Sequence, residues 1–304
     1  MTSDLPRALL VATLVAAPAV ALAAPEADEP LMDNSFLVEE AYNQEAGVVQ
    51  QIGTFLRDLA SGAWLATFTQ EWPVPDATHQ LSYTLSYGRD GGLRGLGDTL
   101  LNYRYQAAAE DGKLAFAPRL SLVLPGTRDG LGFRGLGVQA NLPFSVTLRP
   151  WLVAHSNLGF TWVPSGRDAA GVRTDWRSLS VAQSFVWLVH PRFNVMAELL
   201  WTSTDAVAGG VTHNEVALTV SPGVRWGIDL PADTQVVLGL AAPLGVGPSR
   251  GDRAVFAYLS VELPFWHPGG GAAQEAATRL DGNADSAAPS APTSWASGST
   301  RIGR

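Results

Sequence analysis

The sequence predicts an all-β protein, a transmembrane antiparallel β-barrel of about twelve strands, and three observations carry that prediction. Apolar and polar residues alternate from residue 47 to 267. Short and long connections alternate along the same stretch. The tryptophans collect at two levels of the strands.

The alternation is clearest where Val138, Ala140, Leu142, Phe144, Val146 and Leu148 interleave with Gln139, Asn141, Pro143, Ser145, Thr147 and Arg149. Twelve segments read this way: 47–57, 62–72, 77–88, 96–108, 113–124, 135–149, 151–163, 176–189, 193–204, 214–229, 234–242 and 253–266. Most exceed the usual ~5–6 residues of a globular strand and reach the ~9–11 that cross a bilayer with tilt. Connections after even-numbered segments are short, such as Pro73–Asp76, Ala109–Gly112 and His190–Arg192. Those after odd-numbered segments are longer: Arg89–Gly95, Pro125–Arg134, Pro164–Asp175, Asp205–His213 and Pro243–Asp252. Only Asp58–Ser61 departs from the rule. An even strand number with short turns on one side places both termini in the periplasm.

Trp72, Trp151, Trp187, Trp226 and Trp266 fall near the short-turn ends, and Trp64, Trp162, Trp176 and Trp201 near the long-loop ends. Amphipathic rings at two levels are expected at two membrane interfaces. One face of the strands is apolar. The other carries Glu71, Asp98, Asn102, Arg104, Arg119, Arg149, His155, Asn157, Glu198, Glu215, Arg225 and Glu262, the expected lumen lining and selectivity candidates. The same charges could equally form a self-neutralising network that fills a narrow barrel.

Composition agrees and excludes. The 304 residues carry a net charge of −8, 46% hydrophobic residues, ten Trp and no Cys. Disulfides, cysteine metal sites and thiol nucleophiles are therefore absent. So acidic a chain with 20 Lys and Arg is a poor nucleic-acid binder.

Residues 1–23 read as a secretory signal. Arg7 ends a polar start, Ala8 to Ala21 form an apolar run, and Ala21-Leu22-Ala23 is the cleavage site. Residues 24–46 form either a periplasmic leader or a segment that enters and narrows the lumen. In the second reading Glu39, Glu40 and Glu45 face the lumen arginines. The barrel occupies 47–267. Residues 268–304, rich in Gly, Ala, Ser and Pro, read as a disordered tail.

Two motifs are set aside. Gly130-Leu131-Gly132-Phe133-Arg134-Gly135 spells a dinucleotide fingerprint, but β alternation follows where a helix is required. In His155-Ser156-Asn157 the serine points to the opposite face from its neighbours, so a lipid hydrolase would need its serine from another strand. The five histidines show no metal spacing, and no cofactor is expected.

Four stretches carry a family resemblance: Asp33–Ile52 (DNSFLVEEAYNQEAGVVQQI), Thr67–Tyr87 (TFTQEWPVPDATHQLSYTLSY), Leu96–Gln106 (LGDTLLNYRYQ) and Phe116–Gly126 (FAPRLSLVLPG). They resemble a family of outer-membrane transporters named for the MetA pathway of phenol degradation. The likeness is strongest over residues 33–150. It implies an outer-membrane barrel and uptake of small, often aromatic compounds, and carries no catalytic or binding motif. The expected function is a passive channel for small solutes, with no enzymatic activity. The expected partners are outer-membrane lipid, the solute and the barrel-assembly machinery, with no nucleic acid. The alternatives are a structural or surface-interaction barrel with a filled lumen and, behind it, the lipid hydrolase.

Overall fold

The computed structural model describes residues 31, 34–110, 113–127, 131–167, 171–208 and 211–265. The signal segment, residues 24–30, Trp266 and the 268–304 tail lie outside them. The chain divides into a unit of residues 1–266, which holds the barrel, and a unit of residues 267–304.

Twelve antiparallel strands close into one barrel. They are β1 (Val48–Asp58), β2 (Trp64–Pro73), β3 (His79–Asp90), β4 (Thr99–Tyr105), β5 (Arg119–Leu124), β6 (Gly137–Arg149), β7 (Leu152–Arg167), β8 (Arg173–His190), β9 (Phe193–Ala208), β10 (Val211–Leu230), β11 (Thr234–Ala241) and β12 (Ala254–Pro264). Each pairs with its neighbours in sequence. The seam is β1 on β12, with Val48 opposite Pro264 and Asp58 opposite Ala254. Closure leaves no free edge strand, so the paired residues of the wall satisfy their peptide groups without water.

The registers climb. Continued around the wall from Gln50 through Glu71, Asn102, Gln139, Ser178 and Glu215, and extrapolated past the strand ends, they return to the line of β1 at a count of 64, a shear of about 14 residues (50 to 64). With ~4.8 Å between strands and ~3.3 Å per residue, that shear gives a tilt of about 39° and a backbone radius of about 12 Å.

The two faces of the wall are inverted relative to a water-soluble protein. Outward residues such as Leu101, Leu120, Leu142, Phe144, Leu158, Phe160, Val181 and Leu240 are exposed on successive strands. A continuous apolar band of this size is stable against lipid and not against water. Inward residues such as Gln50, Thr67, Gln80, Asn102, Ser145, Ser184 and Ser221 are buried and polar.

All twelve segments become strands, but the wall is uneven. β7 to β10 run 16, 18, 16 and 20 residues, whereas β4 and β5 have 7 and 6. Two of the expected long loops, Pro164–Asp175 and Asp205–His213, are largely taken up by strand. β7 and β8 pair out to Arg167 and Arg173, and β9 and β10 to Ala208 and Val211. The expected short turn at Ala109–Gly112 is instead a hairpin. Ala108–Glu110 pairs with Leu114–Phe116, which lies on β6. Pro118, with no N–H to give, separates that hairpin from β5.

Candidate functional site: a lumen crossed by the N-terminal segment

Residue 31 and residues 34–47 form an irregular strap across the lumen. It begins at the short turn between β8 and β9, where the Leu31 amide donates to the Pro191 carbonyl at 2.9 Å. It ends at the β2–β3 turn, where Asn43 Nδ2 donates to the carbonyls of Ala77 and Thr78 at 3.0 and 2.9 Å, and then continues into β1. Between those points inward side chains of the wall hold it by two different means.

On the β9–β12 side apolar packing is joined by main-chain holds from Asn194, Glu198 and Arg225. Leu31, Val237, Ala241, Phe256 and Tyr258 make a buried cluster, with Phe36 and Ile52 packed against it. The Phe36 ring lies 5.3 Å from the rings of both Phe256 and Tyr258. The wall makes room by omitting side chains. A Cβ on Gly239 would overlap the Phe36 ring, one on Gly223 would come within 2.8 Å of it, and one on Gly227 within 2.8 Å of Leu31. These three glycines sit at inward positions, an available sequence signal that the alternation analysis passed over.

On the β3–β7 side the contact is polar. Asn157 accepts from the Glu39 amide at 2.7 Å and donates to the Glu39 carbonyl at 2.8 Å. Ser145 Oγ accepts from the Ala41 amide at 2.8 Å. Gln106 donates to the Ala41 carbonyl at 2.7 Å and accepts from the Asn43 amide at 2.8 Å. Arg104 donates to the carbonyls of Glu40 and Tyr42 and to Asn43 Oδ1, and Gln80 accepts from the Gln44 amide at 2.8 Å. Only Asn157 and Arg104 of this set were singled out in the sequence. Gln80, Gln106 and Ser145 share their inward parity, which is the signal that marks them.

Charges join the two sides. Glu40, its side chain 6% exposed, lies 3.3 Å from Arg225 Nη1 and 3.4 Å from His155 Nε2, both 1% exposed. Arg225 also donates to the carbonyls of Asn34 and Leu31, at 3.1 and 3.2 Å. Glu198 Oε1 accepts from the Phe36 and Leu37 amides at 2.9 and 2.8 Å. Glu39 pairs with Arg119, whose Nε donates to Oε2 at 3.0 Å. Burial raises the Glu39 carboxyl, but the nearby Arg119 and Arg104 charges outweigh it and hold the group below the ordinary carboxylate range. Arg119 also donates to Asn102, Ser121 and Gln139.

The remaining sequence candidates fall elsewhere. Glu71 accepts from Gln80 Nε2 at 2.6 Å, and Glu262 from Gln50 Nε2 at 3.1 Å. Asp98 accepts from the amides of Gly126, Phe133 and Arg134, tying the β5–β6 loop to the start of β4. Burial raises its carboxyl above the usual value against those three amides. Glu215 is partly exposed opposite Thr204. Arg149 has inward parity but stands exposed at the turn end of β6, its Nη1 on the Leu148 carbonyl, so it does not reach the strap. Glu45 is exposed as well.

Of the interface tryptophans, Trp64, Trp72, Trp162, Trp187, Trp201 and Trp226 have outward parity, and Trp151 is exposed in a turn. Trp176 corrects the expectation. The inward residues of β8 are even-numbered, Ser178, Ser180, Ala182 and Ser184, so Trp176 turns inward, 5.5 Å from the Phe133 ring. Level alone had placed it in the belt. Trp266 lies outside the described residues.

Above the strap, toward the long-loop end, lies a chamber of about 550 Å³. Phe36 to Glu39 form its floor. Thr67, Thr84, Thr161, Ser178 and Thr202 are among its hydroxyl-bearing walls, and Trp176, Phe133 and Arg134 stand near its mouth. A void of this size accommodates one small molecule.

Ser145 Oγ is also 2.8 Å from His155 Nδ1, which completes a serine–histidine–glutamate line with Glu40. The serine is 0% exposed and covered by the Ala41 amide, so no substrate reaches it past the strap. Among the described residues no group of three or more His, Asp or Glu side chains is arranged to hold a metal ion. The glycine run before Gly137 leads into β6, not into a helix.

No protein-family model matches the chain. No curated protein matches it by sequence. Solved structures do match. An outer membrane channel from Pseudomonas putida F1 is 14% identical, with a TM-score of 0.54 over 73% of this chain and 98% of that one. The NanC porin is 9% identical, with a TM-score of 0.49 over 72% and 100%. The CymD monoaromatic hydrocarbon channel is 11% identical, with a TM-score of 0.39 over 74% and 90%. The first of these shows a shared fold.

Proposed function

We propose that this chain is a bacterial outer-membrane barrel that admits small solutes passively, with residues 31–47 as a plug that closes the lumen at rest. The observation that carries the reading is the strap itself. Its main chain is bonded from one wall of the barrel to the other, while the chamber above it extends toward the long-loop end. The exposed apolar band and the shared fold support placement in the outer membrane. Both termini then lie on the periplasmic, short-turn side. The function is transport without covalent chemistry. Aromatic or phenolic solutes fit the family resemblance, and the Phe133–Trp176 pair near the chamber mouth suits a flat ring.

A second reading has its own observation. Arg104, Arg119 and Arg225 are all engaged by the strap, as a permanently filled structural barrel requires. Single-channel recording in planar bilayers separates the two. The mature chain is expected to conduct weakly, and a chain lacking residues 24–44 to conduct several-fold more. Equal, near-zero conductance from both folded proteins would establish the filled barrel instead.

A further inference from the structure

The strap is held by its main chain. At residues 39, 41 and 43, Asn157, Ser145 and Gln106 take three amides and two carbonyls. Carbonyls of residues 40 and 42 are both taken by Arg104, two residues before Gln106 on the same face of the wall. Side chains of the wall thus bond successive main-chain groups of the strap, in place of a neighbouring strand. Asn157 bonds both the N–H and the C=O of one residue, and Gln106 bonds the C=O and N–H of alternate residues. An amide side chain used this way recognises a peptide bond pattern and is indifferent to the side chain attached to it.

We propose that the lumen is a binding site for a peptide, and that the strap is a bound peptide which a separate chain can replace in trans. The proposal rests on the plug reading for the strap's place in the lumen, but it concerns recognition and not conductance. Side chains set the register on this main-chain site. Phe36 fills the glycine-floored cleft, and Ala41, fully buried against Ala115 and Ala117, leaves room for a small residue only. The ligand class is therefore an oligopeptide with an aromatic residue five positions before a small one and acidic residues between them, at the places of Glu39 and Glu40. Glu45 and Ala46 are exposed just before β1, so the covalent link to the barrel is accessible and separate from the site.

The test uses the whole mature chain with a protease site inserted between Glu45 and Ala46, cut after folding. The nicked barrel is mixed with excess fluorescent synthetic peptide of residues 31–45, and bound peptide is read by anisotropy. The labelled peptide is expected to replace the nicked segment. N-methylation at Ala41 or at Asn43 removes one main-chain donor and strands its buried acceptor, so it should weaken binding about tenfold. N-methylation at Glu45, which is exposed, should leave binding within about twofold. Asn157→Ala should weaken the native peptide by about tenfold or more. Retention of the nicked segment against excess labelled peptide, absence of binding, or binding of the Ala41- or Asn43-methylated peptide as tight as that of the unmethylated one would each overturn the proposal. Failure of the plug reading would show separately, as unchanged conductance once residues 24–44 are deleted.

Discussion

The two ends of the strap differ in what the wall adds to its polar holds: an apolar cleft at one end and only a small alanine contact at the other. Toward β9–β12 the wall gives up side chains at Gly223, Gly227 and Gly239 so that Leu31 and Phe36 can pack against Phe256, Tyr258 and Val237. Toward β3–β7 it supplies Gln80, Arg104, Gln106, Ser145 and Asn157 to the strap's peptide groups. The difference follows from what each strap residue brings. An irregular backbone buried in a barrel needs partners for its N–H and C=O groups; the polar side provides them for residues 39–44, and Asn194, Arg225 and Glu198 provide them at Leu31, Asn34, Phe36 and Leu37. The apolar side supplies the burial free energy that the polar side, trading water hydrogen bonds for protein ones, supplies weakly. The covalent link to β1 lies beside the polar grip. Release is therefore expected to begin at the apolar end and proceed by peeling.

Since the chain has no cysteine, Ser35→Cys makes a clean reporter of opening, because Ser35 is 4% exposed beside the apolar dock. The largest effect is expected from Gly239→Leu, whose side chain would occupy the volume of the Phe36 ring. Alkylation of the Ser35→Cys reporter should become fast, and single-channel conductance should approach that of the plug deletion. Next comes Arg225→Met, which takes the guanidinium away from the buried Glu40 carboxylate. Removing one member of a buried pair costs about 3–5 kcal/mol, and the reporter's protection should fall accordingly. Adding Glu40→Gln should restore part of it. Asn157→Ala, on the polar side, should cost about 1–3 kcal/mol, with the strap remaining seated in most molecules. A larger loss from Asn157→Ala than from Arg225→Met would reverse the ranking.

The smallest effect is a pH dependence. Glu39 has its carboxyl held below the ordinary range by Arg119 and Arg104 against the opposing effect of burial. Its ion pair therefore stabilises the seated strap at pH above the unfolded carboxylate value, and that contribution is lost as pH falls through the lowered folded value. Protection of the Ser35→Cys reporter should drop as pH falls below the ordinary carboxylate range, and Glu39→Gln should flatten that drop. A rise in protection on acidification would contradict the assignment.

The wall was legible because its rule is local. Each of the twelve alternating segments became a strand, since a period of two places every side chain on a face regardless of neighbours. Height was not legible. Polar Thr and Ser near the rims of β7–β10 read as loop, yet they continue the ladder to Arg167 and Val211. Trp176 was assigned by level when parity decided its direction. The strap was the least legible. Its path depends on contacts more than a hundred residues apart, such as Ser35 with Ser184 and Phe36 with Glu198, and no local period encodes them. Even so, the glycines at inward positions and the Gln and Asn residues near the short-turn end were visible marks of a guest in the lumen.

The account stands or falls on where the strap sits, and a disulfide tests that directly. Ser35 Oγ and Ser184 Oγ are 3.0 Å apart, one on the strap and one on the inner face of β8. With both changed to cysteine, mild oxidation of the folded barrel is expected to form the bond in nearly every molecule and to hold single-channel conductance at its resting level even when Gly239→Leu is added. Two thiols that stay free to alkylation under the same conditions would place residues 34–47 outside the lumen and contradict the account.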